Sequence, residues 1–320
     1  MAYRGTQGTV WALAHFNETV LGNKSIIVAR YPATYRDHDT TDDSIAHFTQ
    51  RFETFFVSPH DVNRFLIEKA VDVAYVPTQG LAREASDIPT GVPTITHCVF
   101  ENGNKGGTIQ TAISPFVAKN VCRVLPNPIH VDLENTDDMR KTLGIPEDAI
   151  VFGRYGGYDT FNIKYTHDVI CKYATEHPNT YFLFMNTRVF TPSNASFPNI
   201  IFLPPSRDVV VKSRFIRTCD AMLHARIDGE SFGMAVGEFA VFKKPILTTT
   251  SGATAHLHYL QEHAILFYDA SSLATALSNF QRGTIVPKTL YDEYLAEKVI
   301  IEFEQLIKEA HTIYHGKIGL

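Results

Sequence analysis

Apolar positions recur along this chain with two different periods. Short runs rich in β-branched residues, at 25–29, 71–76, 93–97 and 123–125, read as buried strands. Between them, apolar residues at three- and four-residue spacing predict helices over 10–21, 45–55 and 62–70. Ser114 followed by Pro115 predicts a further helix start, since serine caps a helix well and proline suits its first position. The alternation begins afresh after residue 148, with strands expected at 149–153, 181–185, 200–203, 221–224 and 245–248 and helices between them. Such alternation predicts an α/β architecture with parallel sheets. The acidic stretch 129–146, closed by Gly144-Ile145-Pro146, lies between the two series. It is expected to link two Rossmann-like domains, 1–140 and 141–320. Leu295, Val299, Phe303, Leu306, Ile307 and Ala310 share one helical face, so a last helix over about 290–314 is expected.

Composition narrows the classes. At 320 residues the chain has room for two domains, and 44% hydrophobic with 20% charged residues excludes disorder and coiled coil. Lys plus Arg at 29 against Asp plus Glu at 34 gives −5, without the basic excess of a nucleic-acid binder. Cys98, Cys122, Cys171 and Cys219 are far apart and form no C-x-x-C pair, which argues for reduced thiols and a cytoplasmic location rather than zinc or disulfides. No run approaches roughly 18 apolar residues, and the N-terminus carries no leader pattern, so neither a membrane span nor a secretory signal is expected. The N-x-[ST] matches at Asn17, Asn23 and Asn194 are read as chance.

In open parallel sheets ligands bind at the carboxyl ends of strands. The segment 228–238 (DGESFGMAVGE) follows the strand at 221–224 and leads into a helix. Glu230 in the loop could face a sugar, while Glu238, about two turns into the helix, could reach a ribose diol. The amides of Phe232, Gly233 and Met234 at the helix start suit a phosphate or a sugar hydroxyl. A capped helix with solvated glutamates is the plainer reading. Asp37-His38-Asp39 has the D-x-D form of a metal motif, but its polar surroundings favour a loop capping the next helix. Dehydrogenase, P-loop, hydrolase-elbow and zinc-protease signatures are absent.

Glu230-x₇-Glu238 with Phe232-Gly233, followed by 239–256 (FAVFKKPILTTTSGATAH), resembles the signature E-x-F-G-x₄-E-A-x-A-x-G-x-P-V of the retaining family 4 glycosyltransferases of GT-B architecture. Asp220, the run 199–203 (NIIFL), Ser114-x-x-Val117 and Leu125-Pro126-Asn127-Pro128 agree in order and spacing. The resemblance spans nearly the whole chain. It is nearest to compact members encoded by large algal (chlorella) viruses and some bacteria, which begin with a segment like Arg4-Gly5-Thr6. Phe239 stands where the family usually has Ala, and Lys243 where it usually has Gly.

The resemblance implies two Rossmann-like domains whose parallel sheets face each other across a cleft, with the last helix returning to the N-terminal, acceptor-side domain. It implies a retaining transferase that moves a hexose from a nucleotide sugar to a glycan or glycoprotein acceptor. Mannose from GDP-mannose is the first expectation; a UDP-hexose donor and an inactive nucleotide-sugar-binding protein are the alternatives. Glu230 and His97 are implied as catalytic, Glu230 by contacting the transferred sugar. Glu238 is implied to hold the ribose. Phe232, Gly233 and Met234 are implied near the donor, with Gly5 and Thr6 in a first-domain loop facing the diphosphate. Gly153-Arg154 matches the family's phosphate-binding Gly-Arg pair. The second cation, Lys164, comes ten residues after Arg154, with Tyr165 in place of Gly, which implies an inserted loop. No metal or cofactor is expected, a homodimer is compatible, and a viral origin would place the protein in the host cytoplasm.

Overall fold

A computed structural model describes residues 5–30, 42–103 and 106–318. The chain divides into two compact units: Met1–Pro128 with Tyr294–Leu320, and Ile129–Glu293. In chain order the first unit contains α1 (Gly5–Thr19), β1 (Ile26–Arg30), α2 (Asp42–Thr49), β2 (Glu53–Val57), α3 (Val62–Glu68), β3 (Ala74–Thr78), β4 (Thr94–Cys98), β5 (Ile109–Ala112), α4 (Pro115–Ala118) and β6 (Arg123–Val124). The second contains α5 (Arg140–Leu143), β7 (Ile150–Tyr155), α6 (Lys164–Glu176), β8 (Thr180–Met185), β9 (Ile200–Leu203), α7 (Val209–Thr218) and β10 (Ala221–Leu223). It continues with β11 (Gly229–Glu230), α8 (Met234–Val241), β12 (Ile246–Thr248), β13 (Ala253–Thr254), α9 (Ala255–Leu260), β14 (Ala264–Leu266) and α10 (Ala270–Asn279). Helix α11 (Ala296–Ile318) belongs to the first unit.

The first unit carries a parallel four-stranded sheet, β3-β4-β5-β6, and a separate parallel pair, β1-β2. Its core joins Ala12, Leu13 and Phe16 of α1 to Ile95, Leu125 and the apolar face of α11, Val299, Ile300, Phe303 and Leu306. The helix expected over 45–55 ends at Thr49, and its tail is strand β2. Phe52 turns inward to Ile27 and Phe48, while the Phe55 ring packs on Phe65 at 4.9 Å, so tertiary contacts override the helical spacing of the aromatics.

The second unit is built on a six-stranded parallel sheet, β14-β12-β10-β7-β8-β9. Both faces are covered, and Phe152, Phe182, Phe184, Leu223 and Leu247 are buried in one cluster. That explains why these strands read as continuous apolar runs. The unit begins at Ile129, not at residue 141, because the acidic stretch is tied to α7. The Asp132 amide donates to Ser213 Oγ at 2.8 Å, the Met139 amide to Thr218 Oγ1 at 2.8 Å, and Arg217 Nη2 to the Leu133 carbonyl at 2.8 Å. Arg140, buried, donates to the Ala149 carbonyl and to Asp220. A segment with the composition of a linker is therefore part of the packed unit.

Candidate functional site

Strands β7, β8 and β9 are laid down in one direction across the sheet, and β10, β12 and β14 in the other. The order reverses between β7 and β10. At such a switch the connections leave to opposite sides and open a crevice at the carboxyl ends, where ligands of open α/β sheets bind. Here those ends carry Arg154-Tyr155 from β7 and, past β10, His224, Arg226 and Glu230.

Glu230 is held by backbone and side chains together. β11 pairs with β13, clipping residues 229–230 onto 253–254. Gly229 (φ +63) has to be glycine, since a Cβ there would lie 2.1 Å from the Ala253 carbonyl oxygen. Glu230 Oε1 accepts from His224 Nε2 at 3.2 Å and Oε2 from Arg226 Nη1 at 3.2 Å. His224 Nδ1 lies 2.8 Å from Thr248 Oγ1, which lies 3.1 Å from His256 Nε2. A carboxylate can only accept, so His224 Nε2–H donates to Glu230, and Thr248 links His224 to His256 behind it. Burial pushes the Glu230 carboxyl up, but the hydrogen bond and charge of His224, with Arg226 and His256, outweigh it and hold the group below the usual carboxylate range. Burial lowers His256 to about 3. The side chains of Arg226 and Glu230 remain 24% and 21% exposed, so the charged end of the chain can be reached by a ligand.

Helix α8 starts directly after this loop. Gly233, its N-cap, sits at φ +85, and the Phe232 carbonyl accepts from the buried Tyr291 hydroxyl. The Phe232 ring is core, packed on Tyr259 and Tyr291. Its neighbours Gly233 and Met234 present first-turn amides, which have no acceptor inside a helix. Glu238, in the second turn, is buried and pairs through Oε1 with Lys212 Nζ of α7 at 2.7 Å.

Arg154 is buried at the end of β7. Its Nη1 donates to Thr187 Oγ1 (2.5 Å) and the Asn186 carbonyl (3.3 Å), and its Nη2 to Thr160 Oγ1 (2.5 Å) and the Gly157 carbonyl (3.0 Å). All four Nη hydrogens are thus engaged with the loops after β7 and β8, which leaves Nε for a ligand. Burial lowers its pKa to about 9, and the negative charge of Glu230 acts against that lowering. Gly153 packs against α7, where an added Cβ would meet Cys219 Sγ at 2.1 Å. Lys164 is the first residue of α6, exposed, its ammonium without an ion pair or hydrogen bond among the described residues.

His97, on β4, lies in the interior of the first unit at 1% exposure. Nε2–H donates to the Leu125 carbonyl at 2.8 Å, so Nδ1 accepts from the Tyr75 hydroxyl at 2.5 Å. Burial lowers its pKa to about 4. Both ring nitrogens of His97, the residue expected to be catalytic beside Glu230, are thus engaged by groups of the first unit. Gly5 and Thr6 lie in the first turn of α1 rather than in a loop, and Asp37-His38-Asp39 falls outside the described residues. An open hollow of about 520 Å³ between β14 and α10, lined by Leu266, Asp269 and Phe280 among others, contains none of the charged group.

Solved structures share this architecture over almost the whole chain. A glycosyltransferase from Rickettsia africae superposes with a TM-score of 0.61 at 13% identity, covering 97% of this chain and 94% of its own. Anabaena HepE, in complex with UDP and glucose, gives 0.60 at 11% identity, covering 98% and 96%. MnaA of S. aureus, solved with UDP, gives 0.63 at 12%, covering 97% and 95%. No family model and no curated protein matches the sequence. The fold is that of the GT-B glycosyltransferases.

On this GT-B chain the two departures from the expected motif have local explanations. Phe239 is fully buried and packs on Tyr155 and Phe215, filling space between α8, α7 and β7. Lys243 sits at φ +62, the left-handed conformation that glycine adopts without strain, and its ammonium pairs with Asp292. Sequence reasoning missed Arg226, Thr248, His256 and Lys212 as neighbours of the two glutamates. His224 and His256 close the runs AMLH and TTTSGATAH, so the signal available was a histidine at the end of each of two strand-and-loop segments.

Proposed function

We propose that this GT-B chain is a nucleotide-sugar-dependent, retaining glycosyltransferase that moves a hexose to a glycan acceptor. The observation that carries the reading is Glu230, a carboxylate held on both oxygens at the sheet's switch point yet still open to a ligand. Such a group cannot easily turn to attack an anomeric carbon. It can fix a sugar ring by accepting from its hydroxyls, while Arg226 beside it supplies positive charge.

The reaction breaks the bond between the anomeric carbon and the diphosphate oxygen and forms one to the acceptor oxygen on the same face. The acceptor's proton passes to the departing phosphate. Negative charge therefore grows on the diphosphate, and preorganised donors that meet it lower the barrier. Lys164 and the first-turn amides of Gly233 and Met234 fill that role, with Arg154 contributing charge while it holds the floor of the site.

The sequence resemblance favours GDP-mannose. The Anabaena protein of the same fold is solved with UDP-glucose, which supports a UDP-hexose as the second donor to try. Calorimetric titration with GDP-mannose, UDP-glucose, GDP and UDP, followed by assay of donor hydrolysis, tests the reading. Binding of one nucleotide sugar with slow hydrolysis is expected. Binding without turnover under any acceptor would make the chain a nucleotide-sugar-binding protein, and no binding at all would overturn the reading.

A further inference from the structure

Behind the charged loop lies a second, deeper ion pair. Lys212 Nζ and Glu238 Oε1 meet at 2.7 Å with side chains 19% and 4% exposed. Taking two ions out of water is expensive, and a hydrophobic pair of similar volume often serves stability as well. Retaining the charges points to a further use.

The surroundings indicate what that use is. Lys212 engages only one carboxylate oxygen, and Oε2 of Glu238 has no hydrogen-bond partner among the described residues. The Tyr155 ring lies 5.9 Å from Lys212 Nζ, and the Tyr155 hydroxyl is buried without a hydrogen-bond partner among the described residues. Buried polar groups are nearly always satisfied, so the Tyr155 hydroxyl asks for a polar ligand atom, and the open lone pairs of Glu238 Oε2 can accept from one. Tyr155 ends β7, and Lys212 and Glu238 stand in the first two turns of helices that start at the carboxyl edge of the sheet. A vicinal diol suits such a set, with hydroxyls that donate to the free carboxylate oxygen and an oxygen that accepts from the phenol.

We propose that Lys212 is a positioning residue for ribose recognition: it pins Oε1 of Glu238 so that Oε2, with the Tyr155 hydroxyl, engages the 2′- and 3′-hydroxyls of the nucleotide. The assignment rests on the nucleotide-sugar reading above and adds to it the group that orients Glu238. Burial pushes the Glu238 carboxyl up and the Lys212 ammonium down, so each needs the other to stay charged.

The test compares calorimetric affinities for UDP and GDP with those for their 2′,3′-dideoxy forms, in the wild type and in Lys212→Met, Lys212→Arg and Tyr155→Phe. Hydrogen bonds to a charged group predict a ribose preference of roughly tenfold or more in the wild type. Lys212→Met is expected to reduce that preference to about threefold or less without weakening the dideoxy ligands, and Lys212→Arg to restore most of it. Tyr155→Phe keeps the ion pair, so it reports on the same preference if Lys212→Met fails to fold; a reduced preference is expected. An unchanged preference in folded Lys212→Met, or in Tyr155→Phe where the former does not fold, overturns the proposal. So does equal wild-type binding of ribose and dideoxy forms, which leaves nucleotide binding standing. Failure of the wild type to bind any nucleotide overturns the underlying reading instead.

Discussion

Two histidines close parallel strands in this protein, one in each unit, and their surroundings make them different instruments. His97, on β4, gives one nitrogen to the Leu125 carbonyl and the other to the Tyr75 hydroxyl, deep in the first unit. His224, just past β10, shares its nitrogens between Thr248 and the carboxylate of Glu230, whose side chain is partly exposed. Neither position along a strand nor burial of the ring separates them. The partner does: a backbone carbonyl and a phenol hold His97, while His224 is held by a carboxylate that a ligand can reach. A strand-end histidine in an α/β protein is thus a functional candidate only once its second hydrogen-bond partner is known.

The largest effects should split along that line. Glu230→Gln is expected to lower turnover by roughly 10²–10³ while nucleotide binding persists, the scale set by losing one preorganised electrostatic group. His97→Ala should do the opposite, costing about 2–4 kcal/mol of stability by leaving buried polar partners and a cavity, with kcat unchanged at temperatures where the protein is folded. Urea unfolding beside steady-state kinetics measures both, and a folded but inactive His97→Ala would break the comparison.

Acid offers the next test. Between pH 6.5 and about 4 an unfolded chain protonates His97 and the folded one does not, so the unfolded state binds more protons and stability falls as pH drops. By pH 4 the loss should reach on the order of 3 kcal/mol, and His256 acts in the same direction in the second unit. Thermal unfolding of His97→Gln should show a shallower pH dependence over this window than the wild type; an equal slope would remove His97 from the account. A smaller effect is expected from Thr248→Val, which cuts the link between His224 and His256. Turnover should fall roughly tenfold with KM little changed, the worth of one hydrogen bond to the group that orients Glu230. Smallest of all, Lys243→Gly should shift stability by less than about 0.5 kcal/mol, since relief of left-handed strain offsets loss of the partly exposed Asp292 pair. A marked loss of activity there would show that the motif's tail reaches the site.

Strands that are continuous apolar runs, such as β7 and β8, were legible because a parallel sheet covered on both faces demands such runs. Strand β2 was not, since Phe52, Phe55 and Phe56 also fit helical spacing and only packing decides between the two. β5 and β14 are short and take their strand character from β4 and β12 beside them. The same limit applies to chemistry. Glu230 and Glu238 stand out through their spacing in one segment, whereas Thr248, His256 and Lys212 meet them only because the sheet places β12 and α7 nearby. The plain texture of 129–146 misled for a related reason: its backbone amides, not its side chains, bind it to α7.

The assignment of α11 to the first unit bears on how the chain is made. The second unit is continuous in sequence, so all of its strands have left the ribosome once Glu293 has been synthesised and cleared the exit tunnel. The first unit, although begun earlier, lacks Val299, Ile300, Phe303 and Leu306 of its core until the last helix follows. Domains generally complete in order of emergence. Here the half that is translated first should finish folding last, leaving the apolar flank of α1 in need of protection while the remainder of the polypeptide is synthesised.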